Sequence, residues 1–262
     1  RQHVRSTRIS GSVRPLSSGE TNGVSVTDVP DLGRGRPVDS LDGYFERWSA
    51  LHGGVDPRAS WLIRGWLTMA YRCAKPLTAI GLSPNGVTVV GVLVAAVVPL
   101  LAWRGVATAS SVWLWAALVV AVVTGLLDNL DGAVAVISGR TSRAGYVLDS
   151  VADRFSDALL LGSLWVLGAP GLLVALTIFV GFVQEYARAR AGAAGISEVG
   201  VVSISERPTR IVIVSVFLGL CALAPYGVSV STWATLGACM GLVVALIGAL
   251  QVAVALAGRL RG

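Results

Sequence analysis

Six stretches of nearly uninterrupted apolar sequence, at about residues 86–103, 111–133, 145–167, 171–190, 208–224 and 232–257, fix most of what this 262-residue chain can become. Each is close to the roughly 20 residues that a helix needs to cross a bilayer. With 54% hydrophobic residues, 14% charged ones and a mean hydropathy of +0.71, the pattern predicts an all-α integral membrane protein with six transmembrane helices. The connections after the first, third and fifth stretches carry only Arg104, whereas the other side carries the basic N-terminal region, Arg140, Arg143, Arg188, Arg190, Arg207, Arg259 and Arg261. By the positive-inside rule both termini then face the cytoplasm. Glycines inside the spans, among them Gly91, Gly125, Gly162, Gly181, Gly219, Gly241 and Gly248, permit close helix packing or an oligomer contact. No repeat of solenoid type is present.

Residues 1 to about 38 are rich in Ser, Gly, Arg, Val and Pro without a sustained apolar period, so they read as a disordered basic tail. They lack the contiguous apolar core of a secretory signal peptide. A short helix is expected from Asp39, as N-cap, to Leu51, ended by Gly53 and Gly54. From Pro57 to about Ile80, Trp61, Leu62, Trp66, Leu67, Ala70, Tyr71 and Ala74 recur near helical spacing among Arg58, Arg64, Arg72 and Lys75. That is the pattern of an amphipathic helix in the membrane interface; a soluble helix packed on another domain would have little soluble chain to receive it. The chain thus divides into a mostly disordered basic region, 1–56, and a membrane-embedded domain, 57–262. Its net charge of +6 is dispersed at the ends of apolar runs, which points to anionic lipid headgroups and away from nucleic acid. Three widely spaced cysteines, Cys73, Cys221 and Cys239, give neither a disulfide framework nor metal-ligand spacing, and the only histidines are His3 and His52. Histidine catalysis and a zinc site are therefore not expected.

Against this apolar background the stretch from Asp128 to Asp157 stands out. Asp128 and Asp131 share a helix face at i, i+3, and Gly145, Asp149, Asp153 and Asp157 form a stripe at i, i+4. A carboxylate inside a membrane helix costs on the order of 3 kcal/mol on insertion scales, so a group of them implies a compensating cation or a polar cavity. Hard oxygen ligands without Cys or His suit Mg2+ or Mn2+, and such an ion would in turn hold a phosphate or pyrophosphate. Gly132 and Gly145 would let a bulky ligand approach the backbone. Taken singly, Asp128 and Asp131 read as a helix end and Asp149 as a favourable charge at a helix N-terminus; taken together they do not. Arg154, Arg188, Arg190, Arg207 and Arg210 fall on the same side. Each alone is an ordinary positive-inside residue; as a group they offer a second anion pocket.

The run Asp128-x-x-Asp131-Gly132-x-x-Ala135 followed by Gly145-x-x-x-Asp149-x-x-x-Asp153 resembles the defining motif of the CDP-alcohol phosphotransferases (CDP-alcohol phosphatidyltransferases). Ser83 to Thr88, SPNGVT, resembles the family's element opening the first span, and the resemblance covers about residues 57–257. LDSVADRFSD, EYARARAGAAG and ERPTR look most like the actinobacterial phosphatidylinositol phosphate synthases. The resemblance implies phospholipid synthesis at the plasma membrane, with CDP-diacylglycerol and a small, phosphorylated alcohol as substrates. It further implies a homodimer with its site facing the cytoplasm. Asp128, Asp131, Asp149 and Asp153 would hold the metal, with Asp153 as base. Asn85, Thr88, Gly132, Ala135 and Gly145 would surround the cytidine diphosphate. Arg188, Arg190 and Arg210, with Arg154 and Arg207 beside them, would grip the acceptor's phosphate, inositol phosphate ahead of glycerol phosphate. One position departs: Val136 stands where the family pattern has Arg. A CDP-lipid-binding paralogue that is non-catalytic or altered in specificity is therefore a second reading. An ion-coupled transporter and an aspartyl intramembrane protease are more remote, since the chain lacks paired broken segments and four acids exceed a two-carboxylate site.

Overall fold

The structure, a computed structural model, describes residues 37–51, 54–195, 203–223 and 228–260. The predicted tail up to residue 36 and Gly53 lie outside the described residues, as does the side chain of Leu62. Regular structure among them is helical: α1 Leu41–Leu51, α2 Trp61–Ala79, α3 Pro84–Thr108, α4 Ser111–Ser138, α5 Arg143–Val166, α6 Gly171–Ala193, α7 Arg207–Leu223 and α8 Val230–Leu260. The six apolar stretches each become one helix. Four of these helices, α3, α4, α6 and α8, are long and apolar enough to cross a membrane. α5 is broken up in composition by Arg143, Asp149, Asp153, Arg154 and Asp157, and α7 has 17 residues and opens on Arg207 and Arg210.

Local chemistry sets the helix ends. Ser40, rather than Asp39, caps α1: its Oγ accepts the Gly43 N–H at 3.1 Å. The Asp39 carbonyl instead accepts the Tyr71 hydroxyl at 2.9 Å, tying the start of α1 to α2. Ser60, Ser83 and Ser142 cap α2, α3 and α5 in the same way, and Pro84 occupies the first turn of α3, where its missing N–H removes nothing. α4 ends at Gly139, whose φ of +64° is the left-handed turn that stops a helix. Asp128 and Asp131 therefore lie inside α4, and reading them as a helix end is wrong. Asp149 is likewise beyond the first turn of α5, which starts at Arg143, so the favourable charge expected from it at a helix N-terminus is not what it supplies.

Two apolar clusters hold the helices. One joins Tyr44 and Phe45 of α1 and Leu67, Ala70, Tyr71 and Ala74 of α2 to Val87 of α3 and to Leu130, Val134 and Val136 of α4. The other joins the remaining parts of α3 and α4 to α5, α6, α7 and α8 through residues such as Val98, Ala117, Leu164, Val174, Leu218 and Ala238. Within a bilayer helix association depends on close packing, since lipid is as apolar as leucine. Gly237 shows how close: a Cβ there would lie 2.7 Å from Phe217 Cγ and 2.9 Å from its Cβ, atoms that cannot swing aside. Gly237→Ala is expected to cost about 1–3 kcal/mol by overpacking. The check is the thermal unfolding midpoint in detergent, and an unchanged midpoint would mean that α7 and α8 separate without penalty.

Candidate active site

α4 and α5 bring Asp128, Asp149 and Asp153 together, with one carboxylate oxygen of each within 4.8 Å of the others. Asp131 lines the same pocket but is differently employed. Its Oδ2 accepts the Thr88 hydroxyl of α3 at 2.8 Å and its Oδ1 accepts the Gly132 N–H at 2.7 Å. Thus Thr88, singled out in the sequence for another role, fastens α3 to the acidic cluster. Asn85 and Gly145 adjoin: a Cβ on Gly145 would lie 3.1 Å from Asn85 Oδ1, whereas one on Gly132 would meet no neighbour within 4 Å. Ala135 is half-buried about one turn beyond Gly132.

The arginines meet this cluster from α5, α6 and α7. The Arg207 guanidinium contacts the carboxylates of both Asp128 and Asp153. Arg154 Nη2 stands 3.7 Å from Asp153, and Arg210 Nη1 3.2 Å from Asp157. Arg188 pairs with Glu206, Nη1 to Oε2 at 3.1 Å, and donates from Nη2 to Ser203 Oγ at 3.0 Å. Of the five arginines predicted, four join one network; Arg190 is exposed at the end of α6 and makes no ion pair with it among the described residues. Gly181 has a definite task here, because a Cβ would sit 3.1 Å from Arg210 Nη1. Nε of Arg207 and of Arg210 are buried donors without a hydrogen-bond acceptor, which is what an anion-binding group shows before its anion is counted.

Sequence reasoning missed the acids that anchor these arginines. Glu185 lies within 3.3–3.6 Å of Arg154, Arg188 and Arg210. Glu206 sits next to Arg207 in a segment noted only for its basic residues. Their signal was present as Glu185 three residues before Arg188, but nothing in the sequence says that the end of α6 and the start of α7 converge.

Val136 does not line the acidic pocket. It is 7% exposed, in the apolar cluster with Tyr44, Phe45 and Leu67, so this chain packs hydrocarbon where the motif carries a guanidinium.

Residues 82–256 match the CDP-alcohol phosphatidyltransferase family. The chain belongs to that family. By family it is a transferase. It is 32% identical over 167 residues to the archaetidylinositol phosphate synthase of Pyrococcus horikoshii, covering 63% of this chain and 85% of that one. To the phosphatidylinositol phosphate synthase of Mycolicibacterium smegmatis it is 35% identical over 171 residues, 61% of this chain and 73% of the relative. Among solved structures it resembles the Mycobacterium tuberculosis phosphatidylinositol phosphate synthase with CDP-DAG bound, at 27% identity and a TM-score of 0.58, covering 72% of this chain and 94% of that one. The same enzyme in complex with manganese and citrate matches at the same identity and TM-score, over 71% and 88%.

In the same arginine cluster Glu206 is held ionised by its neighbours. Burial alone would raise its pKa, but the Arg188 guanidinium and the Ser203 N–H and hydroxyl outweigh that and hold it below the ordinary 4.5. A lowered folded-state value means that its stabilisation is complete above about pH 4.5 and is lost as pH falls through the lowered value. Glu206→Gln should therefore melt below the parent at neutral pH, with the difference shrinking as the buffer is taken to pH values below the ordinary carboxylate range. A gap independent of pH would exclude the ion pair as its source.

Proposed function

We propose that the protein transfers the phosphatidyl group of CDP-diacylglycerol to a phosphorylated alcohol, inositol phosphate ahead of glycerol phosphate, with release of CMP. The observation that carries this is the junction at Arg207: an acidic cluster suited to a cation and pyrophosphate abuts an arginine cluster suited to a second phosphate. A hydrolase or a single-substrate binder has no use for both. The named products of the relatives in two lineages, phosphatidylinositol phosphate and archaetidylinositol phosphate, share the inositol phosphate part and support the order of acceptors. The family match over residues 82–256 and the similarity to synthases support the catalytic reading over a non-catalytic paralogue.

The donor set fits Mg2+ or Mn2+: hard carboxylate oxygens from two helices, with no Cys or His among them. Asp128, Asp149 and Asp153 would hold the ion, with Asp131, fixed by Thr88, completing the set or bracing it. Bound there, the ion would neutralise charge on the pyrophosphate. Asn85, Thr88, Gly132, Ala135 and Gly145 would line the nucleotide site, where the open side of Gly132 admits a ligand to the backbone. Arg154, Arg188, Arg207 and Arg210 would bind and orient the acceptor phosphate, with exposed Arg190 at the entrance. Asp153 borders both halves and would take the proton from the acceptor hydroxyl as that oxygen attacks the lipid-linked phosphorus and CMP departs.

The membrane setting follows the same reading. Membrane attachment rests on the four long apolar helices, and we take α5 and α7 as the fifth and sixth spans. Their outward sides carry Tyr146, Val147, Phe155 and Trp165, and Val212, Val216 and Leu223, all more than half exposed. α2 would lie in the interface: Leu67, Ala70 and Ala74 face the bundle, while Trp61 and Trp66 and Arg64 and Arg72 face outward. Residues 57–262 form the membrane-embedded domain after the N-terminal region 1–56, in the plasma membrane with the site toward the cytoplasm and anionic lipids around it. A homodimer is the assembly that the family resemblance suggests.

The test is purified protein with CDP-diacylglycerol, Mn2+ and either phosphorylated alcohol, the lipid product being identified by mass. Absence of product from both acceptors would sink the proposal. Asp153→Asn is expected to lower CMP release by at least about 100-fold while the protein stays monodisperse in detergent. Chelation by EDTA should abolish turnover and added Mn2+ restore it; full turnover by the variant would remove Asp153 as the base.

A further inference from the structure

Asp157 belongs to the carboxylate stripe of α5 but has no part in the roles given above. Its side chain is 6% exposed, against 20% for Asp128 and 22% for Asp153. Neither of its oxygens has a hydrogen-bond partner, so its charge is answered by ion pairs alone. Arg210 Nη1 lies 3.2 Å from it, Arg154 Nη2 3.6 Å and Arg207 Nε 3.9 Å. Glu185, on α6, meets two of the same guanidiniums from the other side: Arg154 Nη1 at 3.4 Å and Arg210 Nη2 at 3.3 Å. Arg154 and Arg210 are therefore each held at both terminal nitrogens, one by a carboxylate of α5 and the other by a carboxylate of α6. Gly181 leaves the room that Arg210 occupies, since a Cβ there would lie 3.1 Å from its Nη1.

We propose that Asp157 and Glu185 are positioning residues that fix the Arg154 and Arg210 forks before the acceptor arrives, and so set affinity for its phosphate group. This rests on the reading of those arginines as the acceptor-phosphate site. An arginine left free must be ordered at the moment of binding, and the ordering is subtracted from affinity. A fork held at both ends has already been ordered. Arg210 keeps a buried Nε–H without an acceptor, and a guanidinium so placed suits an anionic phosphate oxygen better than a neutral hydroxyl. Positioning predicts weaker acceptor binding when the acids are neutralised, although the same change makes the local charge more positive. Simple electrostatic attraction predicts the reverse.

The experiment compares Asp157→Asn, Glu185→Gln, Arg210→Gln and the double variant Asp157→Asn with Arg210→Gln in the full chain. Inositol phosphate is varied at saturating CDP-diacylglycerol, then glycerol phosphate in the same way, and Mn2+ binding is followed by electron paramagnetic resonance. Asp157→Asn should raise the acceptor KM on the order of tenfold, with kcat within about threefold and Mn2+ affinity unchanged. In the Arg210→Gln background Asp157→Asn should cost clearly less than it does alone, because one of the two forks that Asp157 holds is already gone. Should Asp157→Asn fail to fold, Glu185→Gln, at a more exposed carboxylate, carries the same expectation. An acceptor KM that is unchanged or lowered in the acid variants, while Arg210→Gln raises it, overturns the positioning role alone. An acceptor KM unchanged in Arg210→Gln overturns the acceptor-site reading beneath it.

Discussion

Mutual neutralisation of carboxylates and guanidiniums inside an apolar helix bundle is the interaction on which the rest of this structure depends. Asp128, Asp153, Asp157, Glu185 and Glu206 face Arg154, Arg188, Arg207 and Arg210 where α4, α5, α6 and α7 meet, with Asp131 and Asp149 close by. A single member removed from such a group leaves an uncompensated charge, which is far costlier than replacing the whole group with hydrocarbon. The network is consequently weak as a source of stability and strong as a constraint on geometry. Its acids outnumber its guanidiniums, and the excess lies at the α4 and α5 end, where a divalent cation would complete the balance.

The packing exists to present these groups. Thr88 bolts α3 to Asp131, Arg207 ties α7 to α4 and α5, and Arg210 ties α7 to α6. Each tie crosses between helices at the end where α3, α5 and α7 begin and α4 and α6 finish. Small residues let this happen. Gly181 leaves room for a guanidinium, and Gly237 lets α8 reach Phe217 of α7. The apolar clusters above and below the site supply contact area but no direction.

Much of this was legible beforehand, for identifiable reasons. Helix periodicity fixed the faces of Asp128 and of Asp149 and Asp153, and the run of apolar residues located six helices, because both depend only on local spacing. Helix ends were less legible. The span placed at about 111–133 stops short of α4, which runs on through the equally apolar Val134–Ile137 to Ser138 and ends where the backbone turns left-handed at Gly139. Asp39 and Ser40 are both competent caps; Ser40 takes the position, while the Asp39 carbonyl accepts from Tyr71 and Lys75 of α2. Glu185 was legible only as an i, i+3 partner of Arg188 and Glu206 not at all, because their place in the site comes from contacts between α6, α7 and α5, which no spacing rule encodes.

Val136 illustrates the same limit in the opposite direction. Read as a letter in a motif it is a missing charge next to a nucleotide site, and the inference is impaired chemistry. Read in place it is one of the residues that seat α1 and α2 on α4, beside Tyr44, Phe45 and Leu67. The backbone at that point is also engaged, since Val38 N–H donates to the Ile137 carbonyl at 2.8 Å. An apolar side chain suits that position, since a charge buried among these residues would go unpaired. The substitution is therefore better understood as part of how this chain attaches α1 and α2 to its catalytic bundle than as damage to the site. The electropositive half of the site is supplied instead by α5, α6 and α7, on the far side of the carboxylates.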